Sequence, residues 1–212
     1  MCIKTLIVGE IQTNCYIVSC DKTGKAAIID PGGDAGAIIN KVNKSGLIPE
    51  YIINTHGHGD HMGCNEEIKK AFPQAKLCVH KLDAPMLADP AKNLSVMIGP
   101  GVVSPKADLI LEEGDTVEFG TIKFHIIHLP GHTPGGIGLL WKDTGKKPFI
   151  LFSGDALFEG SVGRTDFPGG SHDTLIKNIR EKLMVLPDST EVYPGHGPAT
   201  TIGAEKKTNP FL

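Results

Sequence analysis

The apolar positions of this chain come in short runs separated by turn-forming residues. Cys2–Val8, Cys15–Ser19 and Ala26–Asp30 are rich in Ile, Val and Tyr, a pattern that predicts strands. Asp30-Pro31-Gly32-Gly33 breaks the chain. Asp34 is then placed to cap a helix over about Ala35–Lys44, with Ile38, Ile39 and Val42 on one face. Tyr51–Thr55 reads as a short strand, Asn65–Ala71 as a helix stopped before Pro73, and Leu77–His80 as another strand. The second half repeats the theme. Asp108–Leu111, Thr116–Phe119 and Ile122–His128 read as antiparallel strands with turns at Glu113-Gly114 and Gly120. Ile137–Trp141, Phe149–Phe152 and Glu191–Tyr193 are further strands. Ser171 is placed to cap a helix reaching about Val185, with Leu175, Ile176, Ile179 and Leu183 in one stripe. The pattern predicts an α+β chain forming one domain over residues 1–212, with two sheets covered by helices outside.

Composition narrows this picture. A chain of 212 residues can bury about 70% of its unfolded surface and needs no disulfide support. The cysteines number five (Cys2, Cys15, Cys20, Cys64 and Cys78), with no C-x-x-C pair. They are expected as free, mostly structural thiols, with Cys64 left open because it follows the histidine cluster described next. The net charge of −3 comes without a basic block, which argues against nucleic acid or anionic lipid as a partner. Neither a signal peptide nor a membrane span is expected, so the chain is read as cytoplasmic and acting on a small molecule. Nothing in the pattern specifies an oligomeric state.

Candidate chemistry concentrates in Thr55-His56-Gly57-His58-Gly59-Asp60-His61, between a predicted strand and a predicted helix. Imidazole and carboxylate suit zinc, iron or manganese, and Gly57 and Gly59 are expected to turn the backbone sharply so that the side chains converge. His132 and His196 each sit in a Pro-Gly-His turn just after a strand, and this repeat marks both as ligands. Asp155 ends an apolar strand. An Asp there can cap a turn, but in this company its carboxylate is read as a bridge between two metals. His80, His125, His128 and His172 are expected to be structural or on the surface. Seven candidate ligands exceed the three or four protein ligands one zinc takes, so two divalent ions are expected, with zinc favoured over iron or manganese. Such a pair lowers the pKa of a shared water to near ~7, and the resulting hydroxide is expected to attack a carbonyl with Asp60 as the catalytic side chain.

The set His56-x-His58-x-Asp60-His61, His132, Asp155 and His196 resembles that of the metallo-β-lactamase superfamily. Asp30-Pro31-Gly32 and Asn14-Cys15-Tyr16 also fit. The resemblance implies an αββα sandwich with the metals at one edge. His56, His58 and His132 would hold the first metal. Asp60, His61 and His196 would hold the second, with Asp155 between them and Asp30 orienting the histidine loop. Gly154-Asp155-Ala156-Leu157-Phe158, Gly163-Arg164-Thr165-Asp166-Phe167 and the tail from Gly195 to Phe211 resemble the short glyoxalase II-like branch. That implies hydrolysis of a thioester such as S-lactoylglutathione. The chain ends soon after His196, where full-length glyoxalase II continues into a helical glutathione-binding domain, so weak glutathione binding is expected. Arg164 is the candidate substrate-binding cation, or else it pairs with Asp166 or Asp173 and shapes the loop. Gly163–Phe167 also resembles persulfide dioxygenases, which use one iron. That activity, or hydrolysis of a lactone, lactam or phosphoester, is the alternative.

Overall fold

The computed structural model describes residues 1–97, 99–142, 145 and 148–212. Its strands are β1 (Cys2–Val8), β2 (Thr13–Ser19), β3 (Lys25–Ile29), β4 (Ile48–Ile53), β5 (Lys76–His80), β6 (Leu109–Leu111), β7 (Thr116–Phe119), β8 (Ile122–His128), β9 (Ile137–Trp141), β10 (Ile150–Gly154), β11 (Leu157–Phe158), β12 (Ser161–Val162), β13 (Glu191–Pro194) and β14 (Thr200–Thr201). The α-helices are α1 (Ala35–Lys44), α2 (Gly59–Met62), α3 (Asn65–Ala71), α4 (His172–Asn178) and α5 (Ile202–Thr208).

Two six-stranded mixed sheets face each other, in the orders β1-β2-β3-β4-β5-β6 and β14-β13-β10-β9-β8-β7. The twofold alternation of strand side chains builds three apolar layers. Tyr16, Val18, Ile29 and Ile53 of the first sheet meet Phe124, Ile126, Leu139 and Phe152 of the second in the middle layer. The alternate residues Ile17, Ile28 and Ile52 face Ile38 and Val42 of α1 and Ile68 of α3. On the far side Leu140, Leu151 and Val192 pack against Leu175 of α4 and Ile202 of α5. The order of layers is therefore helix, sheet, sheet, helix. No helix among the described residues is long and apolar enough to cross a membrane.

Several local expectations shift. β4 ends at Ile53, so Asn54 and Thr55 already belong to the loop that carries the histidines. Asp34 precedes α1 in a left-handed conformation, φ 53°, and its side chain caps nothing there. Its Oδ2 accepts instead from Gly9 N at 2.8 Å, because a left-handed backbone turns the carboxylate away from the helix amides. Ser171 does cap α4, and beyond Asn178 the helix widens to a π turn over Ile179–Leu183. The β11–β12 hairpin and α5 have no strong periodic signature. α5 is capped by Thr201, which accepts from Ala204 N.

Candidate metal centre

Each predicted ligand lies beyond the C-terminal end of a strand. β4 leads to His56, His58 and the single turn α2 with Asp60 and His61. β8 leads to His132, β10 to Asp155 and β13 to His196. Strands drawn from both sheets thus deliver all seven residues to one place. His56, His58 and His132 form one converging set, His56, His61 and Asp155 a second, and Asp60, His61 and His196 a third, each with ligand atoms within 4.8 Å of one another. Gly57 and Gly59 lie in the loop from which the side chains converge, and neither has a positive φ. They are close-approach positions: a Cβ on Gly59 would come within 2.6 Å of Ser95 Cβ, and one on Gly57 within 2.8 Å of Met86 Cβ.

His58 Nδ1 faces His132 Nε2 at 3.0 Å, and His61 Nε2 faces His196 Nε2 at 3.1 Å. His196 Nε2 is also 3.2 Å from Asp60 Oδ2, and His61 Nε2 is 3.4 Å from Asp155 Oδ1. Burial, followed by the neighbouring histidines, pushes His56 well below the ordinary imidazole range; burial and then His132 push His58 down to about 3. Burial opposes charge on His61 too, yet Asp155, Asp60 and Asp30 outweigh it and push that ring up to about 10. Burial likewise opposes an ionised Asp60, but His61 and His196 outweigh it and hold the carboxyl below its usual range.

These features fit metal ions. His56 Nε2 and Asp155 Oδ1 are buried without a hydrogen-bond partner among the described residues. Buried polar atoms are ordinarily paired, and facing imidazole nitrogens at 3.0–3.1 Å need a proton or a cation between them. Imidazoles and carboxylates together form the donor set that zinc, iron and manganese accept.

Other residues brace the cluster. Asp30, at φ 51°, accepts from Thr55 N at 2.7 Å and Thr55 Oγ1 at 2.6 Å. Thr55 Oγ1 lies 3.3 Å from His56 Nδ1. His132 Nδ1 donates to the backbone carbonyl of Arg164 at 2.7 Å, which turns Nε2 towards the cluster. Asn14 Nδ2 donates to Pro194 O and Gly197 O, and Tyr16 Oη donates to Pro194 O, gripping the turn that carries His196.

The cluster floors a cleft of about 580 Å³ walled by Ile11, Leu94, Met97, Phe158, Val162 and Phe167. Arg164 reaches the same cleft, but its guanidinium is engaged. Nε and Nη2 donate to the two oxygens of Asp166 at 2.8 Å each, and the group lies 3.8 Å above the centre of the Phe167 ring. None of the cysteines lines the cleft, and Cys64 packs beside α3 with the outer core. His80 and His128 stack on each other at 4.1 Å, apart from the cluster.

The sequence pattern of the metallo-beta-lactamase superfamily matches residues 8–196. The hydroxyacylglutathione hydrolase GloC of Haemophilus influenzae is 38% identical, over 100% of this chain and 98% of its own. The crystal structure of the BLEG-1 B3 metallo-beta-lactamase superimposes with a TM-score of 0.92 at 39% identity, covering 100% of this chain and 99% of that one. TTHA1623, solved in a di-iron-bound form, gives 0.81 at 36% identity, covering 99% and 100%. With the family pattern matched over residues 8–196 and its histidine–aspartate cluster assembled, the chain belongs to the metallo-beta-lactamase superfamily and is a metallo-hydrolase.

Proposed function

We propose that this protein hydrolyses small acyl-thioesters, with His56, His58, His132, Asp155, Asp60, His61 and His196 holding two divalent ions. The observation behind this reading is the position of the cluster at the floor of an apolar cleft large enough for an acyl-thiol. The 38% identity to GloC, named as a hydroxyacylglutathione hydrolase, supports the thioester. Ions in such a site supply Lewis-acid chemistry, drawing the pKa of water towards ~7 and favouring negative charge on an acyl oxygen.

The chain's own groups then have defined tasks. His56 and His58, kept neutral by burial, present lone pairs. Asp60, held ionised and partly open to the cleft, would help hold an ion and orients the attacking water from Oδ2. Thr13 Oγ1 steadies that oxygen from 3.4 Å. The cleft walls exclude water from the acyl group. Arg164 offers contact more than charge, because a substrate carboxylate would have to open its pair with Asp166. Neutral acyl-thiols therefore suit the cleft better than glutathione, which carries two carboxylates.

A second reading, hydrolysis of a lactam, is favoured by the likeness to BLEG-1 at a TM-score of 0.92. The deciding experiment takes one preparation of known metal content through four assays: S-lactoylglutathione, a neutral thioester, a β-lactam, and oxygen uptake with a persulfide. Thioester turnover that stops on chelation and returns with metal supports the proposal. Lactam turnover or oxygen uptake in its place, in metal-replete protein, overturns it.

A further inference from the structure

We propose that Asp83 is a positioning residue for the metal centre, its carboxylate tying the loop of His56 and His58 to the loop of His132. Asp83 follows β5 and is completely buried. Its backbone N–H donates to His80 O at 3.0 Å, which anchors it to the end of the first sheet. Oδ2 accepts from Gly57 N at 2.9 Å and from Thr133 Oγ1 at 2.7 Å, and Oδ1 accepts from Gly135 N at 2.6 Å. Gly57 separates His56 from His58, and Thr133 directly follows His132. One carboxylate therefore spans two ligand loops that belong to different sheets.

The chemistry of the contact is specific. Three donors face two acceptor oxygens, and among the described residues no lysine or arginine pairs with Asp83. A carboxylate accepts at both oxygens, whereas an amide would turn an N–H₂ towards a donor. Gly135 admits the carboxylate because any Cβ there would lie 2.6 Å from Asp83 Oδ1. The side chain touches no ligand atom, so it acts by fixing backbone on either side of the His58–His132 approach of 3.0 Å. The Asp60–His61–His196 set is braced separately, by Thr13 and by Asn54 donating to His61 O. Loss of Asp83 should accordingly weaken one end of the cluster and spare the other.

This inference rests on reading the cluster as a two-ion centre and not on which bond is hydrolysed. The test is stepwise Co²⁺ titration of metal-free full-length protein, followed by its visible spectrum, with chelator competition for the affinities. His132→Ala and His196→Ala identify which step belongs to which end. Asp83→Asn should weaken the step that His132→Ala abolishes by ten-fold or more, and leave the step that His196→Ala abolishes within two-fold. Thr133→Val, which removes one donor of the three, should weaken the same step by a smaller factor. Val42→Ala, buried in α1 far from the site, serves as the control for general destabilisation. Equal weakening of both steps in Asp83→Asn, or a matching pattern in Val42→Ala, would overturn the inference. If Asp83→Asn fails to fold, unchanged binding in Thr133→Val overturns it alone. Wild-type protein that takes up no Co²⁺ would remove the metal reading itself, and this inference with it.

Discussion

Asp30 and His61 face each other without solvent between them, Oδ2 to Nδ1 at 3.1 Å. The same oxygen accepts from the Thr55 hydroxyl, which lies beside His56 Nδ1. One carboxylate just after β3 thus reaches the outer nitrogen of the His61 ring directly and that of His56 through the Thr55 hydroxyl. Groups in that position set ring orientation and ligand basicity.

Asp30→Asn tests this arrangement while keeping the left-handed backbone, which Asn tolerates. An amide cannot accept at both former oxygens, so a buried donor loses its partner at a cost of about 1–3 kcal/mol. We expect a lower thermal midpoint and roughly 10–100-fold weaker metal binding. Metal retention equal to wild type through dialysis against a weak chelator would reduce Asp30 to a support for Thr55.

Metal content should approach two ions per chain, since the cluster offers two end sets, His56–His58–His132 and Asp60–His61–His196, overlapped by a third, His56–His61–Asp155. His196→Ala should lose one ion and keep the other. Elemental analysis of metal-replete protein decides the point, and a wild-type value that stays at one would defeat the two-ion assignment.

Arg164→Ala should act on S-lactoylglutathione and on a neutral thioester to the same small extent. Its guanidinium is exposed and already paired, a contact that solvent screens heavily. The backbone carbonyl that holds His132 stays in place. A rise in KM confined to S-lactoylglutathione would show instead that the Asp166 pair opens for a carboxylate.

Gly195→Ala should leave the core intact and disable the site. A Cβ there would run into Asp155 Oδ1 and lie 2.7 Å from His61 Cε1. We expect a folded protein by circular dichroism with activity down about 100-fold, the scale of loss that small displacements cause in positioned chemistry. Activity near wild type would mean that the turn carrying His196 yields easily.

His80 predicts an acid sensitivity separate from the cluster. Burial, then the stacked His128, push it down to about 4, whereas an unfolded imidazole titrates near ~6.5. Between those values the unfolded chain binds the extra proton. The contribution is therefore complete above about pH 6.5 and is lost as pH falls towards 4. His80→Phe should lose less stability than wild type between pH 7 and pH 5, by up to about 2 kcal/mol. Parallel losses in denaturant melts would clear His80 of the effect.

The parts of this architecture written in local pattern were legible before the fold. Ile17, Ile28 and Ile52 alternate with core-facing neighbours, and Leu175, Ile176 and Ile179 share a helical stripe. The ligands were legible because three histidines and an aspartate crowd one short segment and two Pro-Gly-His turns echo it. Asp83 was not, since a lone aspartate after a strand has no pattern and its partners lie 26, 50 and 52 positions away. The π turn after α4 was hidden for a similar reason: its apolar stripe continues unbroken while the hydrogen bonding changes. The Arg164–Asp166 pair was visible as a possibility, because two residues of opposite charge stand two positions apart, but the engagement of both oxygens depends on the folded loop.

The grip of Asn14 and Tyr16 on the turn at His196 joins segments about 180 positions apart. At synthesis rates of about 5–20 residues per second, roughly 10–40 s separate the emergence of its two halves. For that interval β2 exists without the turn it must hold, and Asp60 and His61 without their last companion. The order of translation therefore makes the site late to complete: a nascent chain can assemble much of its first sheet early but cannot close its histidine–aspartate cluster until His196 is outside the ribosome.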